Sequence, residues 1–360
     1  MVVAIIAIVT VTVLGILAAS GYRLFPLFLG ATNVTLPFSP NNLRTREVIL
    51  AITAMIEKSV IRSMARLVAS AFTLSTGGES TLYAPFHLSQ DDVARYHAAI
   101  GLKDRTTTSI DSSHLLLFLS AVTEPAMLLL LANRSCPINP LGAVNVRNRF
   151  ELLQPDLCDL SSFKHSNRAA LIAKAHNEPR PVKRGVEYDL EVSILIPDAA
   201  GNGAVVPVFR QVFTMLEFRK SNVQSNEVTS GRPSTIETSG QSSKSITQFQ
   251  FGRNDPLKWA ALCKDYNFIH LSGFAAKLLG LPGKLAHGNH VVAKAIQTLL
   301  DTSSIQSLGS GTTWMEVQFK RPVVVPAKLG IEMDSAGTPA CGFAITNSER
   351  ICVTVEYGSL

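Results

Sequence analysis

The chain has 360 residues, 46% of them apolar and 17% charged, with a formal net charge of +6. That length suits two domains of ordinary size plus an appended segment, and the composition fits a globular protein rather than one that is membrane-like throughout. The positive charge favours acidic partners such as anionic lipid, a phosphate-bearing coenzyme or an acidic carrier protein, whereas the lack of basic runs interleaved with aromatics argues against nucleic acid. 

From Val2 to Tyr22 the sequence carries no charge and is built mostly of Val, Ile, Leu and Ala. About 20 helical residues span the roughly 30 Å hydrocarbon core, so this stretch is expected to be a single-pass membrane anchor. A cleaved signal peptide is the alternative, but a basic leading region is missing and the apolar run exceeds the roughly 7 to 15 residues such a signal needs. Lys and Arg follow the span (Arg23, Arg44, Arg46, Lys58) and none precede it, which orients the body of the protein toward the cytosol. The anchor and a connector occupy 1–42. Residues 43–75 follow as an amphipathic helix, with Val48, Ile52, Met55, Ile56, Val60 and Met64 at helical spacing and Arg44, Lys58 and Arg62 among the rest. It could lie on an anionic leaflet or pack on the folded domain behind it.

Residues 76–220 form an α+β unit. Leu115 to Leu131 is strongly apolar but holds Glu124-Pro125, so a buried core helix is expected there rather than a membrane span. Strands are expected around Val144, Val146 and Phe150, then from Val186 to Ile194, where apolar and polar residues alternate, then from Val206 to Phe218. Ser221 to Ser245 is rich in Ser, Thr, Asn and Gln and is expected to be a linker. Residues 246–360 repeat the order of strand, long loop, helix and several strands. Val291, Val292, Ala295, Ile296, Leu299 and Leu300 form one stripe of the helix, and strands follow around Trp314 to Phe319, Ile331 to Met333, Cys341 to Ile345 and Ile351 to Val355. An antiparallel sheet wrapped around one helix is the economical fold. The five cysteines form no Cys-x-x-Cys pair, which fits a reducing compartment and free thiols.

The most informative residues are Asp265-Tyr266-Asn267-Phe268-Ile269-His270, followed sixteen positions beyond the histidine by Ala286-His287-Gly288. This pair of motifs resembles the MaoC-like dehydratases, the (R)-specific enoyl-thioester hydratase branch of the hot-dog fold, whose signature runs Gly-Asp-x-Asn-Pro-Ile-His and then Ala-His-Gly. The resemblance covers roughly Gln248 to Tyr357, including Val317 to Pro326, and is weaker in the first unit, which has no Asp-x-Asn-x-x-His. It implies two tandem hot-dog domains, the first degenerate and widening the acyl pocket and the second catalytic. It also implies a pseudo-dimer within one chain, with a homodimer open, and substrates that are trans-2-enoyl or 3-hydroxyacyl thioesters of CoA or acyl carrier protein in fatty-acid metabolism. No cofactor is implied.

By the same resemblance Asp265 and His270 are the catalytic pair, Asn267 supports them and Gly288 supplies an oxyanion donor. Adding water across an α,β-unsaturated thioester needs such a set: groups that place and activate the water and protonate the α-carbon, and a donor for the enolate oxygen. On a regular helix residues five apart do not share a face, so Asp265 and His270 converge only if a turn lies between them. His287 is expected to shape the loop, and Lys320 and Arg321, with Arg180, Lys183, Arg184 and Lys328, could meet coenzyme phosphates. Lys264 and Phe268 stand where the family has Gly and Pro; the cation is expected to compete for the hydrogen bonds of Asp265, and the phenylalanine to loosen the turn. His287 and His290 lie three apart, but no third ligand with suitable spacing is evident, so no metal is expected. Beside the enzyme reading stand a non-catalytic acyl-thioester-binding protein of the same fold and, less favoured, a thioesterase.

Overall fold

The computed structural model describes residues 23–68, 79–102, 109–158, 163, 169–198, 204–218, 247–305, 311–333 and 341–360. The expected anchor at 2–22 and the expected linker at 221–245 lie outside these residues.

The first half opens with helix α1 (Phe25–Phe28), strand β1 (Asn33–Thr35) and helix α2 (Thr45–Val68). Residues 23–42, expected as a connector, belong to the fold: Leu27, Val34 and Leu36 are buried, and β1 pairs in parallel with β2 (Ser80–Pro85). Of the two placements open to the amphipathic helix, α2 takes the one against the protein. Its Val48, Leu50, Ala51 and Ala54 are buried, and the buried Lys58 donates from Nζ to the carbonyls of Leu131 and Asn133, both at 2.8 Å. Helix α3 (Gln90–Ile100) starts at a capping box between Ser89 and Asp92 and stops at Gly101, whose φ of 88° suits glycine.

Helix α4 (Ser112–Ala132) is the expected core helix. Apolar on nearly all sides, it must bury every face; its most apolar 18-residue window is 89% buried, and strands β2, β3 (Ala143–Leu152), β4 (Ala170–Ala175) and β6 (Gly185–Pro197) pack on it. The short β5 (Arg180–Val182) and the long β7 (Val205–Phe218) complete this half. β3, β6 and β7 are the strands that alternation predicts; β1, β2, β4 and β5 are too short or too uniform to show it.

The second half repeats the plan. β8 (Thr247–Phe251) leads into α5 (Asp255–Cys263), the short helices α6 (Phe268–Leu271) and α7 (Gly273–Leu278), and the central helix α8 (Gly288–Asp301). The predicted stripe of α8 is buried through Val291, Val292, Ala295, Ile296 and Leu299, and β8 and β12 (Arg350–Ser359) pack on it. β9 (Thr313–Phe319), β10 (Ala327–Met333) and β11 (Cys341–Asn347) supply the other strands.

Among the described residues the strands form one sheet in the order β1-β2-β4-β6-β7-β3-β9-β12-β11-β10-β8, with β5 beside β6. The two halves meet at β3 and β9, which run antiparallel from Arg147 opposite Gln318 to Leu152 opposite Thr313. Behind this seam Asn148 donates to Asn289 (2.9 Å) and Asn289 to Ser120 (3.1 Å), so β3, the start of α8 and the middle of α4 are joined by buried amides. Unpaired, such groups would cost about 1–3 kcal/mol each, and the bonds fix the two central helices against one another.

Candidate active site

Helix α5 ends at Lys264, which adopts the left-handed conformation (φ 59°, ψ 10°) and returns its N–H to Ala260 O. Glycine is the usual residue there because a Cβ is disfavoured. The Lys264 ammonium is 2.9 Å from Ala261 O, where it meets the unsatisfied carbonyls of the helix end. The expected competition for Asp265 therefore does not arise: Lys264 is bonded to α5.

The turn that follows is closed by its own side chains. Asp265 Oδ1 accepts from Asn267 N (3.2 Å), Asn267 Oδ1 caps α6 by accepting from Ile269 N (3.3 Å), and His270 N returns to Asn267 O (2.9 Å). Phe268 is the first residue of α6, where proline is most at home and where phenylalanine keeps the same backbone path. These bonds replace the stiffness proline would bring, and they fold Asp265 and His270 onto one side, with Oδ2 and Nε2 3.7 Å apart.

A second segment orients the histidines. Leu285 N donates to Ile269 O, Ala286 N to Val323 O and Val325 N to Lys284 O, each at 2.9 Å. His270 Nδ1 lies 3.0 Å from Leu285 O. A carbonyl can only accept, so Nδ1 carries the hydrogen and Nε2 of the neutral ring offers a lone pair beside Asp265. His287 Nε2 likewise donates to Asp265 O at 3.1 Å, and its ring stacks on His270 with centroids 3.7 Å apart. Burial, and after it the neighbouring His270, push the His287 imidazole well below its ordinary range. His287 is therefore neutral and holds the loop.

Gly288 is the first residue of α8, after His287 at the cap position without a side-chain cap bond. Its N–H has no partner inside the helix and sits at the positive end of the helix dipole. A Cβ at Gly288 would overlap the ring of Phe319, so only glycine lets this backbone reach the space in front of it.

Asp265, His270, Gly288, Asn267, His287, Lys320 and Arg321 all line one cavity of about 490 Å³. Its far wall comes from the first half: Val48, Ile52 and Met55 of α2, and Glu124, Met127, Leu128 and Leu131 of α4. Of the basic residues expected to meet phosphates, Arg184, Lys320 and Arg321 line the cavity, whereas Arg180 is held by Asp189 at 2.6 Å. Sequence reasoning missed the Leu285 carbonyl, the amide pair Asn148 and Asn289, and Glu124. For Glu124 the signal was visible as the only charge inside an apolar helix.

His290, weighed as a metal partner of His287, points elsewhere: its Nε2 donates to Ala99 O at 2.8 Å and its ring stacks on Trp259. The fold instead gathers ligand atoms of Asp265, His270 and His287 within 4.8 Å of one another, a clustering that spacing along the chain does not reveal. His287 Nε2 is already committed to Asp265 O, and the two atoms left facing each other, His270 Nε2 and Asp265 Oδ2, are suited to hold a water.

Residues 232–355 match the family described as MaoC like domain. Over 243 residues the chain is 24% identical to 3-hydroxyacyl-thioester dehydratase X of Mycobacterium tuberculosis, a match covering 67% of this chain and 74% of that protein. The crystal structure of HtdX from Mycobacterium tuberculosis superposes with a TM-score of 0.57 at 20% identity, over 78% of this chain and 100% of that one. A MaoC-like dehydratase from Phytophthora capsici does so with a TM-score of 0.53 at 16% identity, over 80% of this chain and 99% of that one. The fold is a mixed α+β arrangement of the hot-dog kind seen in these proteins.

Proposed function

We propose, from the premise that residues 232–355 form a MaoC-like dehydratase domain, that this chain is a hydro-lyase interconverting trans-2-enoyl and 3-hydroxyacyl thioesters of CoA or acyl carrier protein in fatty-acid metabolism. The observation that carries the reading is the convergence of Asp265 Oδ2 and His270 Nε2, 3.7 Å apart, on a cavity also faced by the N-terminus of α8.

In the hydration direction, water lies against Asp265 and His270, its O–H breaks, and the proton passes to this pair. The oxygen bonds to the β-carbon while the double-bond electrons move through the α-carbon onto the thioester oxygen. The Gly288 N–H receives that oxygen, help worth on the order of 3 kcal/mol. The pair then returns a proton to the α-carbon, and dehydration is the reverse; acid–base assistance of this kind gives roughly 10² to 10⁴-fold. Asn267 and His287 hold the pair in place. Lys320, Arg321 and Arg184, three of the cations at the cavity wall, meet the phosphates of the thioester carrier.

The two halves function as tandem hot-dog units that share one site, a reading supported by their repeated order of elements and by the lack of an Asp-x-Asn-x-x-His in the first. The apolar side chains of α2 and α4 in the cavity wall support a role for the first half in receiving the acyl chain. The uncharged run at 2–22 and the cations after it support an anchor that leaves the site facing the cytosol.

Incubating the full chain in detergent with crotonyl-CoA and following the conjugated-thioester absorbance tests the activity. Loss of absorbance without thiol release is expected. Tight binding without turnover would make the chain a binding protein, and free thiol a thioesterase.

A further inference from the structure

Glu124 has no part in the chemistry above, yet it lines the same cavity, contributed by the central helix of the other half. It is buried, with 9% of its surface exposed, and its Oε2 has no hydrogen-bond partner among the described residues. A buried carboxyl oxygen left unpaired costs free energy unless something outside the protein completes it.

Its position relative to the site follows from two links. Asn289, next to Gly288, donates to Ser120 Oγ at 3.1 Å, and Ser120 and Glu124 stand four residues apart on one face of α4. Glu124 thus lies about one helical turn, roughly 5 Å, beyond the residue that clamps the start of α8. On its other side is the end of α5, where the Cys263 thiol and Asp265 are both close enough to act on its charge. From Glu124 the cavity wall continues along α4 through Met127 and Leu128 to Leu131, all apolar. The carboxyl therefore marks the reacting end of the wall.

We infer that Glu124 is a further polar residue of this active site, holding through Oε2 the oxygen that Asp265 and His270 add to or remove from the acyl chain. Burial, and then Asp265, push the Glu124 carboxyl well above its ordinary range, so it keeps its proton and can donate a hydrogen bond into the cavity. A donor on that oxygen complements two acceptors, Asp265 Oδ2 and His270 Nε2: together they fix its lone pair toward the β-carbon. The inference rests on the hydro-lyase reading.

The test is steady-state kinetics of the full chain on crotonyl-CoA for the wild type, Glu124→Gln, Glu124→Leu and Glu124→Asp, with melting curves for each. Gln keeps a donor and is expected to retain most of kcat. Leu is expected to lower kcat by about 10²-fold with KM little changed, the usual scale for losing one such donor, and without a lower melting temperature. Asp withdraws the carboxyl by one methylene and is expected to lower kcat as well, which keeps the inference testable if the Leu variant does not fold. Unchanged kcat in Leu or Asp, or an effect confined to KM, would overturn it and leave the hydro-lyase reading intact. A wild type without turnover would overturn both.

Discussion

The Nδ1–H of His270 is bonded to the Leu285 carbonyl at 3.0 Å, so the ring is aimed by a backbone group from a different segment of the chain. That bond leaves Nε2 facing Asp265, and it makes the pair the first target for mutation. Asp265→Asn and His270→Ala should each lower kcat on crotonyl-CoA by about 10² to 10⁴-fold. The double variant should be little worse than the worse single one, because the two act as a unit. Circular dichroism should show an unchanged fold, and retention of activity in either single variant removes the assigned roles.

At the head of α8, Gly288→Ala places a methyl group where the Phe319 ring lies. The ring must shift, which costs about 1–3 kcal/mol as overpacking does elsewhere. The Gly288 N–H is also masked from the thioester oxygen, so turnover should fall by about 10²-fold or more. Urea unfolding and kcat measured on the same preparation should both change; a normal kcat excludes this N–H as the oxyanion donor.

The two family departures should prove mild. Lys264 holds a left-handed conformation that costs a non-glycine residue about 1–2 kcal/mol. Lys264→Gly relieves that cost while loosening the unfolded chain by about 0.5–1 kcal/mol, so stability should stay level or rise by about 1 kcal/mol. Phe268→Pro should fold normally, since Asn267 already has the extended ψ of 134° that a residue before proline needs and Phe268 is the first residue of α6. Both variants should keep wild-type turnover; a large loss in either means that Lys264 or Phe268 has a role of its own.

Glu124 also predicts a pH dependence of stability. Its folded-state pKa is raised above the ordinary value of 4.5, by burial first and Asp265 second. The folded protein therefore holds a proton that the unfolded chain releases. The associated stability is fully present below about pH 4.5 and is lost progressively as pH rises toward the folded-state value, at about 1.4 kcal/mol per pH unit. Glu124→Gln has no proton to lose there, so its melting temperature relative to wild type should climb as the pH is raised above about 4.5, the direction set by that upward shift. A constant difference across that range would mean the carboxyl is ionised in the folded protein.

Sequence by itself determined the elements whose side chains repeat with a clear period and the motifs whose chemistry is local. The stripe of α8, the alternation of β6 and β9, and the all-round apolar character of α4 each required one structure, because an amphipathic or wholly apolar segment has only one way to bury its surface. Asp265, Asn267 and His270 were legible because the turn that joins them is closed by its own side chains. Tertiary structure alone decided the rest. The 23–42 segment entered the sheet through a parallel pairing of β1 that its three residues could not announce. His287 and His290, three apart in sequence, turned to opposite tasks because one faces Asp265 and the other the buried face of Trp259. Glu124 reached the site from 141 residues away only because Asn289 and Ser120 clamp the two central helices together. Proximity between distant segments is set by how apolar faces pack and buried amides pair, and neither leaves a local pattern in the chain.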